Sequence, residues 1–324
     1  MRRVQSVAVL AIGMSCTALA SCGESSPDPI GPPSDDTPLF GEEGSWSTRG
    51  GLPDPLVGVA AAVWNDHIYA IGGYADDTDG DPTAHVLRID PNTLDVERLA
   101  DFPTGVAEAA AVVYRDTLLV IGGNNGDRIG IAPTAGVFAY DADSDSWISR
   151  STIPDPRFQH TAHNVGGVVY VVAGRAFFGA PGDSIIVLGD GPAVYGEPPN
   201  RTLTNPVVGG VIGDTIFAMS SLFQSTVVRY DAESNTWADG LGSPFEGTAT
   251  GGAVAGRFHG FGNGQTADHR IWDPSTSAWL TAPPPPSPVS RAAVVGVGSR
   301  LFLIGGHDRQ SNGINRIQAY DPPN

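Results

Sequence analysis

Short apolar segments that end in small residues recur along the chain at nearly regular intervals. Two clear copies are Ile68-Tyr-Ala-Ile-Gly-Gly73 and Leu118-Leu-Val-Ile-Gly-Gly123, and further copies end at residues 174, 221, 263 and 306. Polar turn sequences separate them, and no sustained period near 3.6 residues is present. The pattern predicts an all-β chain built from six copies of one unit of about 40 to 50 residues.

A second landmark follows each apolar segment. It is an aromatic or aliphatic residue, usually with Asp after it, and then an aromatic residue seven positions later. The pairs are Tyr140 and Trp147, Tyr230 and Trp237, and Trp272 and Trp279, with weaker pairs at Ile89 and Val96 and at Leu188 and Tyr195. Sequences such as Asp-Pro-Asn-Thr between the two members predict hairpin turns. Each unit is therefore expected to contain four antiparallel strands, here called a to d.

These landmarks resemble the kelch repeat, with its Gly-Gly pair, its Tyr and Trp, and a Pro-Arg step at Pro156-Arg157. The resemblance extends from Trp46 to Asp321 and implies a six-bladed β-propeller, in which the aromatic residues fill the wedges between blades. Units three to five depart from the pattern, which leaves their boundaries open.

The two ends of the repeat region complement each other. The last unit ends at Tyr320-Asp321 without a strand d, whereas Ser45-Trp46-Ser47-Thr48 resembles a strand d without a blade. Pairing these segments would close the ring and leave no open sheet edge. We therefore expect the N-terminal strand to complete the last blade.

The N-terminus carries the features of a secretion signal. Two arginines precede an apolar run that ends at Leu19-Ala-Ser-Cys22, which resembles the lipobox of bacterial lipoproteins. The resemblance implies cleavage before Cys22 and lipidation of its sulfur; cleavage near Ala20 in an ordinary secreted chain is the alternative. We predict a signal peptide over residues 1–21, a lipidated cysteine and disordered tether over 22–44, and the propeller over 45–324. The expected location is the cell envelope, outside the cytoplasm.

The net charge of the chain limits the classes of molecule that it can bind. The formal net charge is −17, and all 18 basic residues are arginine. An acidic surface disfavours nucleic acid and anionic lipid headgroups, so lipid is expected only as the anchor. The absence of lysine excludes Schiff-base chemistry through that side chain.

The loops between strands b and c and between d and the next strand a should gather at one mouth of the central channel. The ligand-binding residues predicted there are Glu108, Arg157, Arg175, Arg291 and His307. Arg157 has an alternative role in bracing a neighbouring loop. His160 and His163 are three apart and point to opposite faces if they lie in a strand, so we predict no metal site. Asp76, Asp77, Asp79 and Asp81 are expected to be solvated turn acids rather than a calcium loop.

Two functions from different classes remain open. The favoured one is a binding module for a protein, peptide or glycan outside the cytoplasm, because no nucleophile elbow, phosphate loop or metal-binding helix motif is present. The alternative is a carbohydrate-active enzyme similar to the sialic acid mutarotases, which are kelch-like propellers. Arginines with Glu108 would grip and protonate an acidic sugar in that case. No catalytic residue and no cofactor is predicted.

Overall fold

The computed structural model describes residues 44–75, 80–127, 129–176, 184–196, 203, 207–220, 226–242, 244–245, 250–262 and 266–323. Strands, turns and irregular loops make up these ranges, and none of the described residues forms a helix that could cross a bilayer. Cys22 and the predicted signal and tether segments lie outside the described residues. Asp76, Asp77 and Asp79 also lie outside them.

The strands of the described residues are β1 (Ser45–Gly51), β2 (Ala60–Trp64), β3 (His67–Ile71), β4 (Val86–Ile89), β5 (Val96–Arg98), β6 (Ala110–Tyr114), β7 (Thr117–Ile121), β8 (Gly136–Asp141), β9 (Ser146–Thr152), β10 (Arg157–Phe158), β11 (Thr161–Val165), β12 (Val168–Val172), β13 (Arg175–Ala176), β14 (Ile185–Leu188), β15 (Val194–Tyr195), β16 (Val207–Ile212), β17 (Thr215–Ser220), β18 (Thr226–Asp231), β19 (Thr236–Gly242), β20 (Thr250–Val254), β21 (Arg257–Phe261), β22 (His269–Asp273), β23 (Ala278–Thr281), β24 (Ala293–Val297), β25 (Arg300–Ile304) and β26 (Arg316–Asp321).

Six four-stranded antiparallel sheets form the blades of a β-propeller. Their strand orders are β2-β3-β4-β5, β6-β7-β8-β9, β11-β12-β14-β15, β16-β17-β18-β19, β20-β21-β22-β23 and β24-β25-β26-β1, and we number the blades 1 to 6 in this order. The first strands of successive blades contact one another around the axis, and β24 contacts β2 to complete the circle. The predicted fold class is confirmed.

Blade 6 is assembled from both ends of the propeller, as predicted. Strand β1 pairs antiparallel with β26, and the register places Trp46 opposite Tyr320 and Ser45 opposite Asp321. The indole of Trp46 also donates a hydrogen bond from Nε1 to the carbonyl oxygen of Pro283 in the loop after blade 5 (2.8 Å). The ring is thereby closed by backbone hydrogen bonds and leaves no unpaired edge at the joint.

The glycine pairs let each blade approach the next one. Gly72 has a φ of +66°, and a Cβ at this position would lie 1.9 Å from the carbonyl oxygen of Val106 in the loop that enters blade 2. The N–H of Gly73 donates to that same oxygen (2.8 Å). The left-handed backbone and the close approach together explain why this position of the repeat requires glycine.

Aromatic side chains fill most of the wedges between blades. Between blades 1 and 2, Trp64, Tyr69, Tyr140 and Trp147 form one cluster with ring centroids 5.1 to 6.1 Å apart. Tyr140 and Trp147 lie directly opposite each other in neighbouring strands. The predicted landmark pairs are therefore cross-strand neighbours that form the wedge.

Blade 3 differs from this scheme. Its outer hairpin turns one residue earlier, so that Tyr195 pairs with Ile186 and Val194 with Val187. Continuing this register places Ala193 opposite Leu188. The prediction that Leu188 and Tyr195 form the landmark pair of this blade is wrong, because the tighter turn moves Tyr195 outward to the surface.

Candidate functional site

The loops that enter the blades form a hydrogen-bonded belt around one mouth of the channel. Gly58, Glu108, Gln159 and Arg291 each precede the inner strand of a blade by two residues. All four have left-handed backbones, with φ between +56° and +67°. The N–H of Gly58 donates to the carbonyl of Arg291 (3.0 Å), that of Glu108 to Gly58 (2.7 Å), and that of Gln159 to Glu108 (2.9 Å). Left-handed backbone is unusual for residues other than glycine, and here the belt fixes it.

The side chains on this belt form a polar cluster. The guanidinium of Arg291 makes an ion pair with the carboxylate of Glu108, and the side chains are 13% and 6% exposed. Gln159 donates from Nε2 to Oε1 of Glu108 (2.9 Å). Gly58 lies between the two charged residues, and a Cβ there would approach the Cγ of Glu108 to 2.8 Å. The absence of a side chain at this position therefore gives Arg291 room to reach Glu108.

A second polar layer supports the cluster from outside. The guanidinium carbon of Arg291 lies 6.0 Å from the ring centroid of Tyr74. The amide of Asn124 donates from Nδ2 to the Tyr74 hydroxyl (2.6 Å). Burial lowers the pKa of Arg291 from its usual 12.5 to about 10, a change that Tyr74 opposes. A pKa of about 10 leaves Arg291 charged at neutral pH.

A cavity of about 100 Å³ lies against this cluster. Glu108, Gln159 and Arg291 line it together with His160 and Thr250. The Oγ1 of Thr250 and the Nδ1 of His160 are buried, and neither has a hydrogen-bond partner among the described residues. Buried polar atoms are nearly always hydrogen-bonded in native proteins. Glu108, Arg291 and Gln159 therefore bring a carboxylate, a guanidinium and an amide to the wall of this cavity, beside Thr250 and His160.

The channel below the mouth is narrow and lined by small residues. Its volume is about 390 Å³, and alanine, glycine and valine from all six inner strands form most of its wall. The polar exceptions are His160, Thr161 and His163, and Nε2 of His163 lies 2.7 Å from Oγ1 of Thr161. Burial lowers the pKa of His163 from 6.5 to about 4, so the imidazole is neutral at pH 7.

Arg157 is placed away from the cavity and is fully buried. Its Nη1 donates to the carbonyl of Ala173 (2.8 Å), and its Nη2 donates to the hydroxyl of Ser184 (3.2 Å). Asp155 lies 3.6 Å from the guanidinium. Burial lowers the pKa of Arg157. These contacts tie together the two ends of the b–c loop of blade 3, which is the bracing alternative named for this residue.

Arg175 and His307 occupy equivalent places after the small-residue pair of their blades, as Tyr74 and Asn124 do. Arg175 is exposed, and its guanidinium lies 5.3 Å from the ring centroid of Phe158. His307 pairs through its backbone with Ser290, and its Nδ1 lies 3.0 Å from the carbonyl oxygen of Asp308. Both lie on the predicted face, but neither lines the cavity. The structure thus brings Glu108 and Arg291 together and leaves Arg157, Arg175 and His307 outside the cluster.

The histidines near the channel do not form a metal cluster. His160 contacts the carbonyl oxygen of Ile121 through Nε2 (3.0 Å), whereas His163 contacts Thr161. Among the described residues, no group of three potential ligands from His, Cys, Asp and Glu is close enough to hold an ion.

Comparison with known proteins agrees with this architecture. The sequence profile described as the kelch motif matches residues 55–103 and 288–324, which contain the glycine pairs of blades 1 and 6. The chain carries kelch motifs. These two segments meet where blade 6 closes against blade 1.

The curated relatives are distant and much longer. Beta-scruin of Limulus polyphemus is 24% identical over 302 residues, covering 86% of this chain and 28% of the relative. Kelch-like protein 25 of Xenopus tropicalis is 23% identical over 229 residues, covering 68% of this chain and 32% of the relative. The chain therefore spans less than a third of the length of these relatives.

A solved structure shows the same fold. The structure of YjhT superimposes with a TM-score of 0.69 at 15% sequence identity, covering 82% of this chain and 95% of the other. Agreement at this level of identity concerns the fold, not the site.

Proposed function

We propose that this chain is a binding protein that holds a protein, peptide or glycan partner outside the cytoplasm at the mouth lined by Glu108, Gln159 and Arg291. Propellers serve as rigid scaffolds whose loops carry the function, so the site and not the fold has to identify the ligand. The observation that carries the proposal is the polar cluster of Glu108, Gln159 and Arg291 on the belt, which lines a cavity at the mouth.

The chemistry of the mouth suits a ligand rich in hydroxyl or amide groups. A paired carboxylate and guanidinium can each accept or donate a further hydrogen bond to a neutral group without being separated. Gln159 can do both. A cavity of about 100 Å³ accommodates one sugar hydroxymethyl group or one small side chain rather than a whole ligand. The remainder of the partner would rest on the surrounding loops.

Binding partners can be sought with a glycan array and with pull-down from a cell-envelope extract, in each case comparing the wild type with Gln159→Ala. We expect the variant to lose at least tenfold in affinity for any authentic partner, because it removes the amide that faces the cavity while the ion pair remains. Asn92→Ala is the matched control, since Asn92 also carries a side-chain amide but is exposed in the turn between strands c and d of blade 1, at the end of the propeller opposite the mouth. Equal binding by wild type and Gln159→Ala would contradict the proposal.

The location is part of the proposal. The sequence from Leu19 to Cys22 supports a lipid anchor on the outer side of a membrane, since two or more acyl chains give stable attachment. Cys22→Ser is expected to release the protein into the soluble fraction of cells that produce it. Continued membrane attachment of that variant would contradict the anchor.

The mutarotase alternative receives less support from the geometry. An acidic sugar would call for several guanidinium groups around one pocket. Of Arg157, Arg175 and Arg291, only Arg291 lines the cavity, and Glu108 already neutralises it. NMR exchange spectroscopy of sialic acid anomers tests the alternative directly. Accelerated interconversion that Glu108→Gln abolishes would favour the enzyme, and no acceleration would leave the binding function.

A further inference from the structure

The interface between blades 2 and 3 lacks the aromatic wedge that four of the six interfaces use. Between blades 1 and 2, Tyr140 and Trp147 lie opposite each other and pack on the previous blade. The corresponding residues of blade 3 are Leu188 and Ala193. Replacing tyrosine by leucine and tryptophan by alanine removes most of the side-chain volume from this wedge.

The interface between blades 6 and 1 also lacks an aromatic pair but is filled in another way. Its opposing residues are Ile89 and Val96. Leu94, in the turn between them, is 4% exposed and packs into the core of that interface. Leu94 lies five positions after Ile89. The residue five positions after Leu188 in blade 3 is the small Ala193, so blade 3 has no such replacement.

The consequence is a cavity of about 310 Å³ between blades 2 and 3. Leu119, Val137, Val169 and Leu188 contribute apolar walls, and Tyr114 lies beside them with a buried hydroxyl oxygen. The volume lies at the lower end of the range of small-molecule sites. An apolar group that enters this pocket removes its own apolar surface and that of the walls from water, which favours binding.

Positive charge lies at the rim of this cavity. Arg115 and Arg150 both line it, in a chain whose net charge is −17. Arg115 donates to Asp190 (2.8 Å), and its guanidinium carbon lies 5.0 Å from the ring centroid of Tyr114. Both members of the Arg115 pair are mostly exposed, at 60% and 74%, so the pair is weak and can rearrange around an incoming anion. Arg150 is exposed on β9 and lines the same cavity.

We propose that the cavity between blades 2 and 3 binds a compact aromatic anion, whose rings replace the missing aromatic wedge and whose charge lies between Arg115 and Arg150. This site is independent of the mouth. Glu108 precedes strand β6 and Arg115 follows it, and five residues of strand separate the two ends by about 17 Å.

The probe for this site is 8-anilinonaphthalene-1-sulfonate, an aromatic anion that fluoresces in apolar surroundings, titrated into the folded chain at neutral pH. We expect one saturable site. The double variant Leu188→Tyr with Ala193→Trp restores the wedge of the other blades and should weaken binding at least tenfold. Ile129→Trp is the control for adding an indole, because Ile129 is 82% exposed on a loop at the opposite end of blade 2. This control should bind as the wild type does.

The charge is tested separately from the cavity. Arg115→Gln with Arg150→Gln should weaken binding of the sulfonate about tenfold, while the uncharged analogue N-phenyl-1-naphthylamine should change less than twofold. Thermal unfolding of each variant verifies that it is folded, and the wedge-restoring variant is expected to unfold at a higher temperature than the wild type. Undiminished binding by the wedge-restoring variant would overturn the site. An unchanged affinity of the arginine variant for the sulfonate would overturn the preference for an anion.

Discussion

Removing the guanidinium of Arg291 should destabilise the propeller through Glu108. The two side chains are 13% and 6% exposed, so Arg291→Met would leave a nearly buried carboxylate without its counter-charge. The hydrogen bond from Gln159 would remain, but it comes from a neutral amide and cannot replace a positive charge. Breaking a buried pair by deleting one partner typically costs about 3 to 5 kcal/mol.

The assay is urea unfolding followed by tryptophan fluorescence, combined with a double-mutant cycle. Arg291→Met, Glu108→Gln and the double variant are measured together with the wild type. The double variant should be less destabilised than the sum of the single changes, because no charge is then left unpaired. A coupling energy of about 1 to 3 kcal/mol is expected for residues in direct contact.

An exposed pair supplies the control for this prediction. Arg98 donates to Asp101 at 2.8 Å, but the two side chains are 48% and 51% exposed. Arg98→Met should therefore cost less than about 1 kcal/mol. Two results would contradict this prediction. One is that Arg291→Met lowers the free energy of unfolding no more than Arg98→Met does, and the other is that the cycle gives no coupling between Arg291 and Glu108.

Three further predictions concern the fold. Gly72→Ala should lower the free energy of unfolding by about 3 kcal/mol or more, because its Cβ would lie 1.9 Å from the Val106 carbonyl oxygen. Gly256 has a φ of +75° but open space around it, so Gly256→Ala should lower it by only about 1 to 2 kcal/mol. Trp46→Ala should cost about 3 to 5 kcal/mol by emptying the closure of blade 6. Lowering the pH from 7 to 5 should destabilise the chain by about 2 kcal/mol for each of His163 and His269, whose pKa is lowered by burial from 6.5 to about 4.

The sign of the pH effect follows from the direction of these shifts. Both histidines are neutral when folded, so the unfolded chain binds more protons between pH 6.5 and 4, and stability falls as the pH falls through that range. A constant free energy of unfolding from pH 7 to 5 would contradict it. Equal losses in the free energy of unfolding for Gly72→Ala and Gly256→Ala would contradict the close contact between Gly72 and the Val106 carbonyl oxygen. If Trp46→Ala lowered the free energy of unfolding no more than Tyr195→Ala does at a half-exposed position, Trp46 would not be needed to close blade 6.

Much of the fold could be predicted from local patterns. The register of Trp46 against Tyr320 follows from two incomplete units that complement each other, and hydrogen bonds at the joint satisfy both. The pairing of Leu188 with Tyr195 failed because the turn of blade 3 begins one residue earlier. A spacing of seven residues does not reveal that shift, and only the register of β14 with β15 does.

The site was predictable in its place but not in its contacts. Glu108 and Arg291 both belong to loops that enter a blade, which the repeat identifies. Their ion pair depends on Gly58, which lies between them around the ring and has no side chain to keep Arg291 from Glu108. No pattern along the chain indicates this role of Gly58. The Pro-Arg motif pointed to Arg157, but burial and two bonds to blade 3 make that residue a brace. A useful signal was the position two residues before each inner strand, which holds Gly58, Glu108, Gln159 and Arg291.

We propose that the partner binds at the mouth bordered by the b–c loops. Site-specific photo-crosslinking can show which face of the propeller the partner contacts. A photoreactive amino acid is placed at Asn125, exposed on the b–c loop of blade 2, or at Asp66, exposed in the turn at the opposite end of blade 1. Each protein is irradiated with a partner selected by the array or the pull-down. We expect a covalent adduct from Asn125 that Gln159→Ala abolishes, and none from Asp66. An adduct from Asp66 alone, or one from Asn125 that Gln159→Ala leaves unchanged, would contradict it.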